Sequence, residues 1–133
     1  MLKETALKLW DGDCDLNCSE TIIYAANEEY NLNIPKEALK TMAGFGGGMA
    51  TGGVCGTISG AVAVIGLMFT EERARESSKV ATMTRELINR FKEEVGYVDC
   101  RDIKGKIKDA DLKACRHMVE VSTEILESIV KKG

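Results

Sequence analysis

The residue type in this sequence with the most specific chemistry is cysteine, and 133 residues contain five of them: Cys14, Cys18, Cys55, Cys100 and Cys115. The N-terminal residues lack the apolar core of a secretory signal, so we expect a cytoplasmic protein. An odd number of cysteines in such a protein does not suggest a disulfide framework. The alternatives are metal ligands, redox thiols and small core residues. No CxxC pair is present, so no standard local motif decides among them.

Eight of the 13 glycines lie in one stretch around Cys55, residues 44–60, with the sequence GFGGGMATGGVCGTISG. Such a density indicates backbone conformations that other residues rarely adopt, or a close approach by another group. We expect no nucleotide cofactor, because the stretch has no P-loop lysine and the GxGxxG fingerprint fails in every register. We predict instead that at least two of these glycines have positive φ, and that several of their N–H groups face Cys55.

Two cysteines are predicted at helix starts, where the helix dipole and unpaired N–H groups favour a thiolate. Cys18 follows the N-cap residue Asn17, and Cys55 opens the helix after the glycines. A lowered thiol pKa is expected at such positions. Cys100 falls in a second irregular stretch, and Cys115 lies on an apolar helical stripe, which makes it the best candidate for a core residue. The one histidine, His117, has no visible partner.

The predicted fold is all-α: one domain, residues 1–133, forming a single compact bundle of about five helices. The Gly-rich loop leads into a central buried helix. Helices are predicted at about 18–30, 35–44, 55–69, 70–94 and 110–131 from apolar periodicity, capping residues and the stop signal at Gly96. A buried strand is the alternative at 55–69. Gly56 and Gly60 lie one turn apart, so this helix allows the close approach of another helix.

Composition sets limits on partners. Hydrophobic residues at 44% and charged residues at 29% are typical of a globular protein. A net charge of −3 argues against nucleic acid as a partner. The uncharged run from Val54 to Phe69 is shorter than the about 20 residues that span a bilayer, so no membrane partner is expected.

Four segments resemble the C_GCAxxG_C_C family, which is described as redox-active. They are NCSETIIYAANEEYNL, GFGGGMATGGVCGTISGAVAVIGL, FKEEVGYVDCRDI and CRHMVEVSTEIL. The resemblance extends from about Asn17 to Leu126, and matches the four family cysteines to Cys18, Cys55, Cys100 and Cys115. Its CGAxxG element is CGTISG here, with Thr57 where alanine is usual. Cys14 has no counterpart in the family pattern.

The resemblance implies a small redox protein. A similar domain in split-Soret cytochromes is associated with an iron–sulfur centre, but this chain has no CxxCH motif, so no haem is expected. Our first hypothesis is an iron–sulfur cluster bound by Cys18, Cys55, Cys100 and Cys115. Backbone N–H groups of Gly46, Gly47, Gly48 and Gly53 would donate to the cofactor. Its partner would be an unidentified redox protein.

Two other hypotheses remain open. One is thiol–disulfide exchange, with Cys55 as the catalytic thiolate and Cys100 or Cys18 as the resolving thiol. The other is a helical scaffold whose cysteines are buried and inert, with a homodimer formed through the small-residue helix as one form of it. Both redox hypotheses require cysteines that are distant in sequence to converge in space.

Overall fold

The computed structural model describes residues 1–12, 15–106 and 111–133, and its described residues form α-helices, short turns and one isolated bridge. The helices of these residues are α1 (Leu2–Asp11), α2 (Cys18–Tyr30), α3 (Lys36–Leu39), α4 (Gly56–Phe69), α5 (Ser78–Val95), α6 (Cys100–Lys106) and α7 (Asp111–Lys132). The predicted all-α class is confirmed. The described chain has seven helices where about five were predicted, because neither α1 nor α6 was anticipated from the sequence.

Helix α2 begins and ends where local capping signals predict. The Asn17 side chain accepts a hydrogen bond from the N–H of Glu20, and the Glu20 carboxylate accepts one from the N–H of Asn17. This reciprocal capping box satisfies two backbone donors that the first turn leaves unpaired. At the other end Asn31 takes the left-handed conformation. The predicted bounds of this helix, and the position of Cys18 as its first residue, are confirmed.

Helix α4 is the centre of the bundle, and it packs against α2, α5 and α7. Its length and its burial settle the choice between helix and strand in favour of the helix. The buried residues of α4 are Gly56, Thr57, Ile58, Gly60, Ala61, Val64 and Ile65. Leu67, on the remaining face, is 49% exposed. No helix in the described parts of the chain is both long enough and apolar enough to cross a membrane.

Glycines in α4 allow α2 to approach very closely, and this helix pair has the most extensive contact in the bundle. A Cβ atom at Gly60 would lie 2.6 Å from the carbonyl oxygen of Ser19 and 3.0 Å from Cβ of Ile22. A Cβ at Gly56 would overlap the sulfur of Cys18. The small-residue face of α4 therefore packs against a helix of the same chain, and a homodimer remains a prediction.

Helix α5 begins later than predicted. The sequence placed its start at Thr70, but Thr70 is the C-cap of α4 and the helix starts at Ser78. The intervening residues form a loop that the Ser77 hydroxyl stabilises: it accepts from the N–H of Glu71 and donates to the carbonyl of Arg73. Gly96, with φ of +93°, ends α5 as predicted. The buried residues of α5 are Met83, Leu87 and Phe91.

Helices α1 and α7 complete the bundle. α1 packs against α2 and α7, with Leu2 and Ala6 fully buried. α7 is the longest described helix, which corrects the prediction that α5 would be. Its apolar stripe forms much of the core through Val119, Leu126 and Ile129. Cys14 lies outside the described residues.

The contact between α2 and α4 can be tested with two glycines of one helix. Gly60→Ala should lower the free energy of unfolding by about 1–3 kcal/mol, because the added methyl overlaps the α2 backbone. Gly66→Ala is the matched control, since no atom lies within 4 Å of its added Cβ. It should raise stability by up to about 1 kcal/mol through helix propensity alone. Urea unfolding of both variants measures the difference, and equal effects would contradict the close approach.

Candidate four-cysteine site

Three of the cysteines lie at helix starts. Cys18 is the first residue of α2. Cys55 is the N-cap of α4, whereas the sequence predicted it as the first residue of the helix. Cys100 is the first residue of α6. This corrects the prediction of an irregular segment around Cys100. The short helix there was missed because a seven-residue element containing Gly105 has too little periodicity to be recognised from sequence.

An isolated antiparallel bridge fixes Cys55 relative to Cys100. The bridge pairs Val54 with Asp99. On one side of it the N–H of Cys55 donates to the carbonyl of Val98 at 2.8 Å. On the other side the N–H of Cys100 donates to the carbonyl of Gly53 at 2.7 Å. Two cysteines that are 45 positions apart in the sequence are thereby held next to each other by backbone hydrogen bonds.

The glycine-rich segment before Cys55 contains a left-handed turn. Gly47, Gly48, Met49 and Ala50 have φ of +64°, +66°, +56° and +60°, and Gly52 has +77°. A hydrogen bond of 2.9 Å from the N–H of Gly53 to the carbonyl of Gly48 closes this turn. Left-handed backbone is strained for residues with a Cβ, so the glycines reduce the cost of this path. The prediction of at least two glycines with positive φ is confirmed.

The other glycines of this segment allow close contacts with the helix starts. A Cβ at Gly46 would overlap the side chain of Asn17, the N-cap of α2. A Cβ at Gly52 would lie 3.1 Å from Cβ of Arg101, next to Cys100. Together with the contact between Gly56 and Cys18, these contacts explain why the glycines cluster here. They let the segment pass between two helix starts that carry cysteines.

All four cysteines matched by the resemblance line one cavity of about 50 Å³. Each of them is a reduced thiol in the structure. Cys18 and Cys55 are buried, and Cys100 and Cys115 are partly buried. The other residues lining the cavity are Gly47, Gly56, Thr57, Ile103, Lys104, Ala114 and Met118. The structure thus brings together cysteines from α2, α4, α6 and α7, and their role as ligands stays a prediction.

Among the described residues that line the cavity, Lys104 is the charged one, and none of them carries a carboxylate or an imidazole. His117 is 60% exposed and faces Glu120 across 3.9 Å, so it lies outside this lining set. Of the four glycines proposed as donors, Gly47 is the one among the described lining residues. The N–H of Gly53 already donates to the carbonyl of Gly48, which corrects its expected role as a donor to a cofactor. Donation from the N–H groups of Gly46, Gly47 and Gly48 remains a prediction.

The environment of Cys55 contradicts the lowered pKa expected from its position at a helix start. Burial raises the pKa of the Cys55 thiol to about 11, because the thiolate loses its hydration. Hydrogen bonds from the side chain and the backbone of Thr57 act in the opposite direction, and the nearby Cys18 and Cys100 raise the pKa further. The loss of hydration therefore changes the pKa more than the position at a helix start does, and Cys55 is protonated at neutral pH.

The donor set suits a soft metal centre, because thiolate sulfur prefers iron–sulfur clusters, zinc and copper(I). Around one tetrahedral ion, the thiolate sulfurs would lie about 4 Å apart. In the described part of the chain, however, no three cysteine, histidine, aspartate or glutamate side chains are arranged to hold a metal ion. The cysteines surround a cavity instead. Whether they bind a metal centre stays a prediction.

The chain is a helical bundle in which four cysteines line one cavity. A family model described as "putative redox-active protein (C_GCAxxG_C_C)" matches residues 16–129, and the chain belongs to this family. The match includes all four cysteines of the cavity. No curated protein and no solved structure matches the chain. The assignment to a redox-active family agrees with the resemblance found in the sequence.

Two polar residues and one cation of this site were not predicted from the sequence. Thr57 was noted only as a departure from the usual alanine, yet its hydroxyl lies 3.1 Å from the sulfur of Cys55. Ser122, a residue of α7, was not singled out from the sequence, yet its hydroxyl donates to Thr57. Lys104 was part of a stretch read as irregular. A threonine two residues after a cysteine at a helix start is the signal that could have indicated the first of these contacts.

The raised pKa of Cys55 predicts a loss of stability at high pH. The pKa is 9.0 in the unfolded chain and about 11 in the folded protein, so the stabilising effect is complete below pH 9 and is lost as the pH rises through about 11. The loss should approach about 3 kcal/mol. Urea unfolding between pH 8 and 11.5 measures it, with Cys55→Ser as the reference that lacks this thiol. If the free energy of unfolding depended on pH in the same way in both proteins, the raised pKa would be contradicted.

The left-handed turn can be tested by substituting two adjacent glycines. Gly48→Ala should destabilise the protein by more than about 2 kcal/mol, because its methyl overlaps the backbone of Gly53. Gly47→Ala has no atom within 4 Å of its added methyl and should cost about 1 kcal/mol, the strain of a left-handed alanine. Chemical denaturation measures both effects. Equal losses would mean that the turn does not pack as described.

Proposed function

We propose that this redox-active protein binds an iron–sulfur cluster through Cys18, Cys55, Cys100 and Cys115 and transfers electrons to a partner protein. The observation that carries this proposal is the cavity that all four cysteines line. When bound, such a cluster supplies one-electron chemistry, and four thiolates are its usual protein ligands. Cys18, Cys100 and Cys115 lie in α2, α6 and α7, and Cys55 caps α4, so the bundle would hold each ligand on a separate rigid element.

The charges around the cavity support an anionic centre. Four thiolates contribute four negative charges, which exceed the net positive charge of a common iron–sulfide core, so the ligated cluster is anionic. The N-terminal ends of α2 and α4 present partial positive charge near Cys18 and Cys55. Lys104 adds a positive charge to the lining, and no carboxylate is present among the lining residues that the structure describes. A neutral or cationic ligand would gain less from these surroundings.

The high pKa of Cys55 also favours a metal ligand over a nucleophile. With a pKa of about 11, the thiol is almost entirely protonated at neutral pH and is a weak nucleophile. A metal cation changes this balance, because ligation stabilises the thiolate directly and releases the proton. A buried thiol that ionises only when it binds metal is suited to a cofactor site. Thiol–disulfide exchange with Cys55 as the attacking thiolate receives no such support.

Anaerobic reconstitution tests the proposed function. Purified protein incubated with iron, sulfide and reductant should become brown and should contain both iron and acid-labile sulfide. Cys18→Ser, Cys55→Ser, Cys100→Ser and Cys115→Ser should each lose most of the bound iron, because one thiolate ligand is missing. Iron and sulfide analysis with visible spectroscopy provides the measurement.

Cys14→Ser is the matched control for this experiment, because it removes a thiol that has no place in the family pattern. It should bind iron as the unaltered protein does. Loss of iron in this variant would mean that the wrong four cysteines are assigned. If the protein stays colourless and its thiols form disulfides reversibly in pairs, dithiol exchange replaces the cluster hypothesis. If the thiols are inert, the scaffold hypothesis is supported.

A further inference from the structure

A buried hydroxyl group lies directly against one of the four sulfurs. Thr57 is in the first turn of α4, has no exposed surface and lines the cavity. Its Oγ1 lies 3.1 Å from Sγ of Cys55. This distance is well within the range of a hydrogen bond to sulfur. Cys55 thus has a side-chain hydrogen-bond partner that can either donate or accept a proton.

A second buried hydroxyl fixes the orientation of the first. Ser122, on α7, is fully buried, and its hydroxyl donates to Oγ1 of Thr57 at 2.8 Å. Ser122 and Thr57 are 65 positions apart in the sequence, and this contact joins α7 to the start of α4. Oγ1 of Thr57 accepts a hydrogen bond from the Ser122 hydroxyl. The hydroxyl proton of Thr57 can therefore point toward Sγ of Cys55. The three groups form a chain: Ser122 to Thr57, and Thr57 to Cys55.

The direction of the second hydrogen bond follows from the state of the sulfur. In a neutral thiol, either Cys55 or Thr57 can be the donor. A metal-bound thiolate has no proton and can only accept, so Thr57 must then be the donor. Hydrogen bonds to ligand sulfurs are among the main influences on the reduction potential of iron–sulfur centres, because they stabilise the more negative reduced state.

We propose that Ser122 and Thr57 form a hydrogen-bond relay that ends on Sγ of Cys55 and raises the reduction potential of the four-cysteine centre. The effect on the potential rests on the proposed function, whereas the relay itself belongs to the protein without a cofactor. Thr57 acts as a positioning and tuning residue that contacts a ligand, and Ser122 acts through Thr57. Among the four sulfurs, Cys55 is the one that this relay reaches.

The relay is tested first in the reduced, metal-free protein by proton NMR. The hydroxyl proton of Thr57 should be protected from exchange with water and should show through-space contact with the β protons of Cys55. In Ser122→Ala its exchange should be about tenfold faster, which corresponds to the loss of one buried hydrogen bond. An unprotected Thr57 hydroxyl in the unaltered protein, or protection that Ser122→Ala does not change, overturns the relay.

The effect on the potential is tested by redox titration of the reconstituted protein, followed by visible and electron paramagnetic resonance spectra. Thr57→Val keeps the shape of the side chain and removes the donor, so the midpoint potential should shift to lower values. Ser122→Ala should cause a smaller shift in the same direction. Thr57→Ser keeps a hydroxyl and should restore the potential of the unaltered protein. An unchanged potential in Thr57→Val overturns the tuning role while the cluster assignment stands.

Two further variants separate tuning from general damage to the fold. Thr57→Val/Ser122→Ala removes both hydroxyls, so no buried hydroxyl is left without a partner and the protein should stay folded. Its potential should be as low as that of Thr57→Val. Thr123→Val is the matched control, because Thr123 is buried beside Ser122 but donates to the carbonyls of Val119 and Glu120 in its own helix. A shift of the potential in Thr123→Val as large as that in Thr57→Val overturns the tuning role.

The outcome also distinguishes the two proposals from each other. If the unaltered protein takes up no cluster, the proposed function fails, and the NMR experiment still decides whether the relay exists. If the protein takes up a cluster and Thr57 shows no protected hydroxyl, the proposed function stands and the relay fails.

Discussion

The close approach of α2 and α4 is the contact on which the site depends. At Gly60 the helices are so near that a single methyl group would overlap the α2 backbone, and at Gly56 it would overlap the sulfur of Cys18. Without side chains at these positions, the first turns of two helices can meet side by side. That meeting places Cys18 and Cys55 at one cavity, although they come from different parts of the chain. The geometry of the site therefore depends on the absence of side chains at Gly56 and Gly60.

The remaining two cysteines reach the cavity by different means. Cys100 is held by the backbone bridge between Val54 and Asp99, which is independent of side-chain identity. Cys115 lies near the start of α7, whose long apolar stripe packs on the core. Each route uses a separate kind of interaction: helix packing at glycine, backbone pairing and burial of an amphipathic face. The four sulfurs can converge only when all three interactions are satisfied together.

The electrostatics of the cavity follow from the competition between burial and local dipoles. A helix start favours a thiolate by typically 0.3–1 kcal/mol, or about 2 kcal/mol in favourable partly buried geometries. Removal of a charged group from water costs several kcal/mol, and this cost dominates at Cys55. The neighbouring thiols make ionisation still harder, since negative charges would accumulate at one place. A bound cation would resolve this conflict, so surroundings that disfavour an isolated thiolate would suit the metal-bound thiolate that we propose.

Local signals in the sequence determined much of the fold. The cap at Asn17 fixes the start of α2, Gly96 ends α5, and the density of glycines predicts left-handed backbone. These features depend on a few neighbouring residues, so the sequence reveals them directly. The set of four cysteines came from the family resemblance, because nothing in their spacing alone predicts that residues 18 and 115 lie at one cavity.

Tertiary structure decided the rest, because it depends on contacts between residues that are distant in the chain. The start of α5 at Ser78, the short helix at Cys100 and the raised pKa of Cys55 all differ from the local expectation. Burial is the clearest case: a helix start predicts a lowered thiol pKa, but only the packed bundle shows how much water the thiolate loses. Similarly, Thr57 and Ser122 are ordinary small polar residues in the sequence. Their hydrogen bond across 65 positions exists only once α4 and α7 have packed together.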